Sequence, residues 1–288
     1  MASREEYFDM AMKAFFLAET GPEDAAANDE RILQLAHYLC RELGICSLYR
    51  YRPDDKWERD KIIFESDKIW FQPMSKQNDP LEFSFDMDFP DPLAPLFALC
   101  PSLAPLQSAT DFLQQQFDDY RNKCLIACFS DSYKNHSLWS GYANSHHGYC
   151  ISYSALDILS QFQYFLLPVI YQNDIPTLSE AISRVGDNRN LLPYYIVYKR
   201  ISTKLICGED GNRWADEKEW RVIRTLTSNM GKGEAIQCPK PNAVYLGYQT
   251  NKSLESDIRA ICQKKHIPVF KMETDNVTNS LKVVQIQG

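Results

Sequence analysis

The run "DEKEWRV" at 216–222 places two glutamates and an arginine within five residues. If it is a strand, its period of two sets Glu217, Glu219 and Arg221 on one face and Lys218, Trp220 and Val222 on the other. The charged face is then either solvated or lines a cleft, where Arg221 keeps one carboxylate ionised while another receives a substrate hydroxyl. In the cleft case Glu219→Gln removes activity and leaves the thermal midpoint alone, whereas Trp220 belongs to the core. A second candidate is "LYRYR" at 48–52, with Tyr49 and Tyr51 on one face and Arg50 and Arg52 on the other. It reads as an edge strand with solvated arginines, or as an inward anion clamp suited to pyrophosphate or carboxylate. The third is "QNDPLEF", where Asn78, Asp79 and Glu82 follow Trp70 and Phe71. Asn-Asp-Pro makes an ordinary turn, but the same groups at the mouth of an aromatic strand suit a polar ligand.

The stretch "SLWSGYANSHHGYCISYS" at 137–154 is dense in aromatic and titratable groups. Trp139 and Tyr142 lie three apart on a short helix, with His146 just past its end, an arrangement suited to a pocket wall that stacks a planar ring. The alternative is that His146 only caps that helix. Cys128, His136, His146, His147 and Cys150 fit no structural zinc spacing, and there is no His-Glu-x-x-His, so neither a metal nor a tightly bound cofactor is expected. The phosphate-loop, dinucleotide-fingerprint and Gly-x-Ser-x-Gly patterns are all missing, which removes support for P-loop hydrolases, dehydrogenases and serine hydrolases.

The elements that must position these groups read as α+β: a mixed, mainly antiparallel sheet core with flanking helices, preceded by an N-terminal helical hairpin. Ser3 and Glu6 form a capping box for a first helix ending at "TGP" (20–22), and a second runs from about 24 to 43 with Gly44 as its cap. Strands are predicted at "ICSLYRYR", "KIWFQ", "FSFDMDF", "CLIACFS", "GYCISY", "LLPVIY", "EWRVIRTL", "AVYLGY" and "IPVFKM". Helices are predicted at "DDKWERDKIIFES", at about 108–122, near 136–143, across roughly 177–201 and at 253–265; proline-rich 90–106 reads as an irregular excursion. The expected division is residues 1–43 as the hairpin and 44–288 as one α+β domain.

The chain has 288 residues, a net charge of −7 and nine cysteines without a Cys-x-x-Cys. An acidic chain offers no general attraction to nucleic acid, although a local basic pocket remains open. The cysteines suggest neither a disulfide framework nor a zinc ribbon. No apolar run long enough to span a membrane and no secretory pattern at "MASREEYFDM" are visible, so a cytoplasmic location is expected.

In their order along the chain, Leu48-Tyr49-Arg50-Tyr51, Trp70-Phe71, Asn78-Asp79-Pro80 with Glu82, Cys128-Phe129-Ser130, Trp139 with Tyr142-Ala143, His146 with Gly148, and Glu219-Trp220-Arg221 resemble the bacterial domain of unknown function 2971. The resemblance covers about residues 45–275; in that pattern His146 is the motif histidine, expected to be catalytic together with Glu219 and Arg50, and His147 is incidental. The N-terminal helices fall outside it and suit a protein partner. The layout also resembles ADP-ribosyltransferases, which cleave the nicotinamide–ribose bond of NAD. That resemblance implies Glu219 on a ribose hydroxyl, Arg50 as the first-strand cation, Trp139 or Tyr142 against nicotinamide, and Ser130 positioning the ribose. The chain departs from it in lacking a Ser-Thr-Ser triplet, and the Asn-Asp-Pro-x-Glu element has no counterpart there. The resulting expectation is a nucleotide-pocket enzyme acting on NAD or a related nucleotide, serving as a stress or phage-defence effector. The alternatives are a non-catalytic nucleotide or small-molecule binding module, and a metal-dependent nuclease built on Asp79, Glu82, Glu217 and Glu219.

Overall fold

The computed structural model describes residues 2–20, 25–77, 83, 85–86, 115, 123–187, 191–206, 214–225, 232–275 and 280–286. Asn78, Asp79, Glu82, most of "FSFDMDF", the proline-rich 90–106 and nearly all of the helix expected at 108–122 lie outside them.

The chain opens with α1 (Arg4–Thr20) and α2 (Ala25–His37). The capping box is reciprocal: the Ser3 amide donates to Glu6 Oε2 at 3.1 Å, and the Glu6 amide to Ser3 Oγ at 3.1 Å. The second helix does not stay α-helical to residue 43. Tyr38–Glu42 widens into a π-turn in which the Leu43 amide bonds the Tyr38 carbonyl, and Gly44 follows at φ +69°. Tyr7, Phe8, Ala11, Met12, Ala14 and Phe15 of α1 are buried in the same cluster as Trp220, Leu166 and Tyr198, so the hairpin shares its core with the sheet.

Next come β1 (Ser47–Arg52), α3 (Trp57–Glu65), β2 (Lys68–Pro73), β3 (Cys124–Ser130), α4 (His136–Gly141) and β4 (Tyr149–Ser154). They are followed by α5 (Ala155–Phe162), β5 (Leu166–Pro168), β6 (Ile170–Gln172), α6 (Leu178–Val185), α7 (Leu192–Ile201) and β7 (Thr203–Leu205). The chain closes with β8 (Glu219–Thr225), β9 (Glu234–Gln237), β10 (Ala243–Leu246), α8 (Lys252–Lys265), β11 (Val269–Asp275) and β12 (Ser280–Gln285). The α+β class holds: eight α-helices among the described residues surround a ten-stranded sheet whose described pairs are antiparallel except β10 with β11. β6 and β7 form a small parallel pair of their own. No helix among the described residues is long and apolar enough to cross a membrane.

The sheet branches at β3. One edge of this strand pairs with β8 from Cys124 to Ser130. A strand has only two edges, so β1 and β2 share the other: β1 at Ser130, β2 at Leu125 and Ile126. Between these contacts β1 and β2 diverge, and the gap is where the site lies.

Candidate functional site

Arg50 on β1 points into the gap and spans it. Its Nη1 donates to the Cys128 carbonyl at 3.2 Å and its Nη2 to the Trp70 carbonyl at 2.6 Å, satisfying backbone that the diverging strands leave unpaired. Among the described residues it has no carboxylate partner, and burial, followed by the neighbouring Arg52, pulls its pKa down to about 10. Arg52 is matched instead, by Asp60 at 2.7 Å. A cleft of about 280 Å³ opens over Arg50, and its lining includes Lys76, Ser130, Tyr142, Lys204, Glu217 and Glu219. Tyr49 and Tyr51 border the same space.

The carboxylates reach the cleft differently from a continuous strand. Ala215–Glu217 is a 3-10 turn, Lys218 takes φ +46°, and β8 begins only at Glu219. Glu217 therefore arrives from a turn, while Glu219 and Arg221 do share a strand face and Trp220 takes the core side. Arg221 Nε and Nη2 hold the two oxygens of Glu219 at 2.9 and 3.1 Å. Lys204 Nζ, from β7, lies 2.7 Å from Glu219 Oε2 and 3.0 Å from Glu217 Oε2. Burial opposes the charge of Glu219, yet Arg221 and Lys204 outweigh it and hold this carboxyl well below the usual range. In Glu217 burial prevails over Lys204, with Glu219 adding to the upward push. Two carboxyls on one ammonium are thus displaced in opposite directions, the pattern that separates acid–base roles.

Sequence reasoning missed Lys204, whose surroundings "ISTKLI" carry no motif. Arg4 was missed too. From α1 its guanidinium bonds the carbonyls of Glu219 at 2.7 Å and Lys218 at 2.9 Å, and Asp131 Oδ2 at 2.9 Å, fixing the carboxylate segment from behind.

Several sequence candidates take structural positions. Ser130 Oγ donates to the Glu217 carbonyl at 2.8 Å, so it holds the turn. Tyr51 Oη donates to the Ser132 carbonyl at 2.8 Å. Arg221 is 0% exposed and gives Nη1 to the Ile201 carbonyl. Trp139 is no pocket wall: also 0% exposed, it sits edge-on to Tyr51 and donates Nε1–H to the Tyr133 carbonyl. Only Tyr142 of that aromatic pair borders the cleft.

The catalytic expectation for His146 is corrected. Its ring stacks on Trp139 at 5.6 Å with Tyr248 at 4.6 Å, it is buried, and it is absent from the lining of the cleft. The residue sits at φ +67°, its amide bonded to the Trp139 carbonyl and its carbonyl to the Gln249 amide. A Cβ on Gly148 would meet the Arg52 carbonyl at 2.1 Å, and one on Gly247 the His146 carbonyl at 2.0 Å. His146 and Gly148 thus knot backbone together behind the site. His146→Ala is expected to cost about 1–3 kcal/mol of stability and leave ligand affinity in the cleft unchanged, while His147→Ala stays within about 0.5 kcal/mol. Thermal melts and ligand titrations of both variants check this.

No protein-family model, curated protein or solved structure matches the chain.

Proposed function

We propose that the cleft binds a nucleotide of the NAD type and cleaves or transfers at its glycosidic bond. One observation carries this reading: a guanidinium with no carboxylate partner among the described residues and a carboxyl pair with opposed pKa displacements line one cleft. Arg50, with Lys76 at the rim, supplies positive charge for a pyrophosphate. The volume of about 280 Å³ suits part of a nucleotide, with the remainder over the rim.

Cleaving the nicotinamide–ribose bond releases a neutral pyridine, so the leaving group needs no proton. The attacking hydroxyl must lose one, and Glu217, whose pKa burial raises, is the acceptor. Glu219 has both oxygens engaged and serves as the fixed anion that anchors Lys204 beside Glu217. The nuclease alternative is less well supported, because an ammonium already stands between the two carboxylates a divalent ion would need.

Incubation with NAD, followed by chromatography for nicotinamide, tests the proposal. Nicotinamide release is expected, reduced by about 10²–10⁴-fold in Glu217→Gln without a large change in melting temperature. Binding of NAD without release would mark a non-catalytic nucleotide module, and neither binding nor release would overturn the proposal.

A further inference from the structure

A pair of thiols lies away from the cleft, at the joint between the helical hairpin and β1. Cys40 and Cys46 are six residues apart, which on a continuing α-helix would put their side chains on different faces. The chain does not continue that way. The π-turn Tyr38–Glu42, closed by the Leu43 amide on the Tyr38 carbonyl, and the left-handed Gly44 turn the chain so that residue 45 returns to residue 39. The Ile45 amide bonds the Leu39 carbonyl at 3.0 Å, and Cys40 Sγ–H donates to the Ile45 carbonyl at 3.4 Å. Cys40 Sγ therefore lies against the peptide group that joins Ile45 to Cys46. Cys46 is exposed and Cys40 is half-buried, the arrangement of an accessible attacking thiol with a resolving thiol behind it. By contrast Cys124, Cys150, Cys238 and Cys262 are buried in strands, a strand end and α8, out of reach of an oxidant in solution.

We propose that Cys40 and Cys46 form a dithiol site that a small disulfide of the glutathione class oxidises to an intramolecular disulfide. The Cys46 thiolate attacks one sulfur of the oxidant, forming a mixed disulfide and expelling one glutathione thiolate. Cys40 then gives up its proton and attacks the Cys46 sulfur, expelling the second glutathione, which takes up a proton. Two protein thiols and one glutathione disulfide become one protein disulfide and two glutathione thiols. The new bond replaces the Cys40 contact to Ile45 and fixes a joint that bears on both neighbours. The Tyr38 hydroxyl there bonds Glu6 of the α1 capping box, and the Cys46 carbonyl accepts the first amide of α5, from Ala155, at 3.0 Å.

The sequence makes the test direct, because trypsin cuts at Arg41 and so separates the two cysteines. The full chain is incubated with oxidised glutathione, alkylated, digested and mapped by mass. The expected product is the 32–41 peptide joined to the 42–50 peptide, two hydrogens lighter than their sum, and released by reductant. Cys46→Ser should abolish the link and leave Cys40 alkylated. A Cys46–glutathione adduct that goes no further, a bridge from either residue to a different cysteine, or both thiols recovered free would overturn the proposal, and none of these depends on what the cleft binds.

Discussion

Trp220→Ala is expected to lower the free energy of unfolding by about 3–5 kcal/mol. The indole is 0% exposed, meets Tyr7 of α1 edge-on at 5.2 Å and lies 5.2 Å beneath the Arg4 guanidinium. Removing it opens a cavity between β8 and α1 that rigid strand pairing on both sides of β8 prevents from collapsing. It also frees Arg4, whose hydrogen bonds hold the carbonyls of Lys218 and Glu219. Urea unfolding measures the cost directly. A loss below about 1 kcal/mol at unchanged slope would mean that α1 does not pack on this face of the strand.

What the sequence disclosed follows from how local each determinant is. Cys124–Ser130 was read residue for residue because its apolar run needs no context, and the Ser3–Glu6 capping box because its partners are three residues apart. β7 and β9, of three and four residues, are too short to show a period, and β12 exists because β11 pairs with it from Phe270 to Asp275. α5 could have been found: Ser154 Oγ accepts the Asp157 amide, a cap-and-acid spacing visible in "SALD".

For the site, residue types were legible and roles were not. Arg50, Glu217, Glu219 and Tyr142 do converge on one cleft, but whether an arginine clamps a ligand or spans diverging strands depends on the branching at β3, a long-range feature. The aromatic and histidine cluster drew attention for its composition, and its burial shows that much of that composition serves packing. Lys204 was hidden because lysine carries no motif; only the approach of β7 to the turn at Glu217 gives it significance.

Glu219→Gln changes meaning accordingly. A carboxylate lining a cleft without engaged oxygens could be replaced at little cost to folding, which is the expectation the sequence alone supports. Here both oxygens face Arg221 and one also faces Lys204, and both cations are buried. The neutral amide takes away a carboxylate that both buried cations face, so the variant is expected to lose about 3–5 kcal/mol at neutral pH. The pH dependence supplies the check. Because the folded-state pKa of Glu219 is depressed, its contribution is fully present above the ordinary carboxyl value of 4.5 and is lost as pH falls through the folded value. The stability gap between wild type and Glu219→Gln should therefore narrow on acidification below that range. Glu217 runs the other way: its pKa is raised, so wild-type stability from this group declines as pH climbs above 4.5, and Glu217→Gln should flatten that slope. Denaturant unfolding of the three proteins across the acid range separates the two carboxyls. A Glu219→Gln protein as stable as wild type at pH 7 would mean that Arg221 and Lys204 find other partners, and that Glu219 is available to a ligand after all.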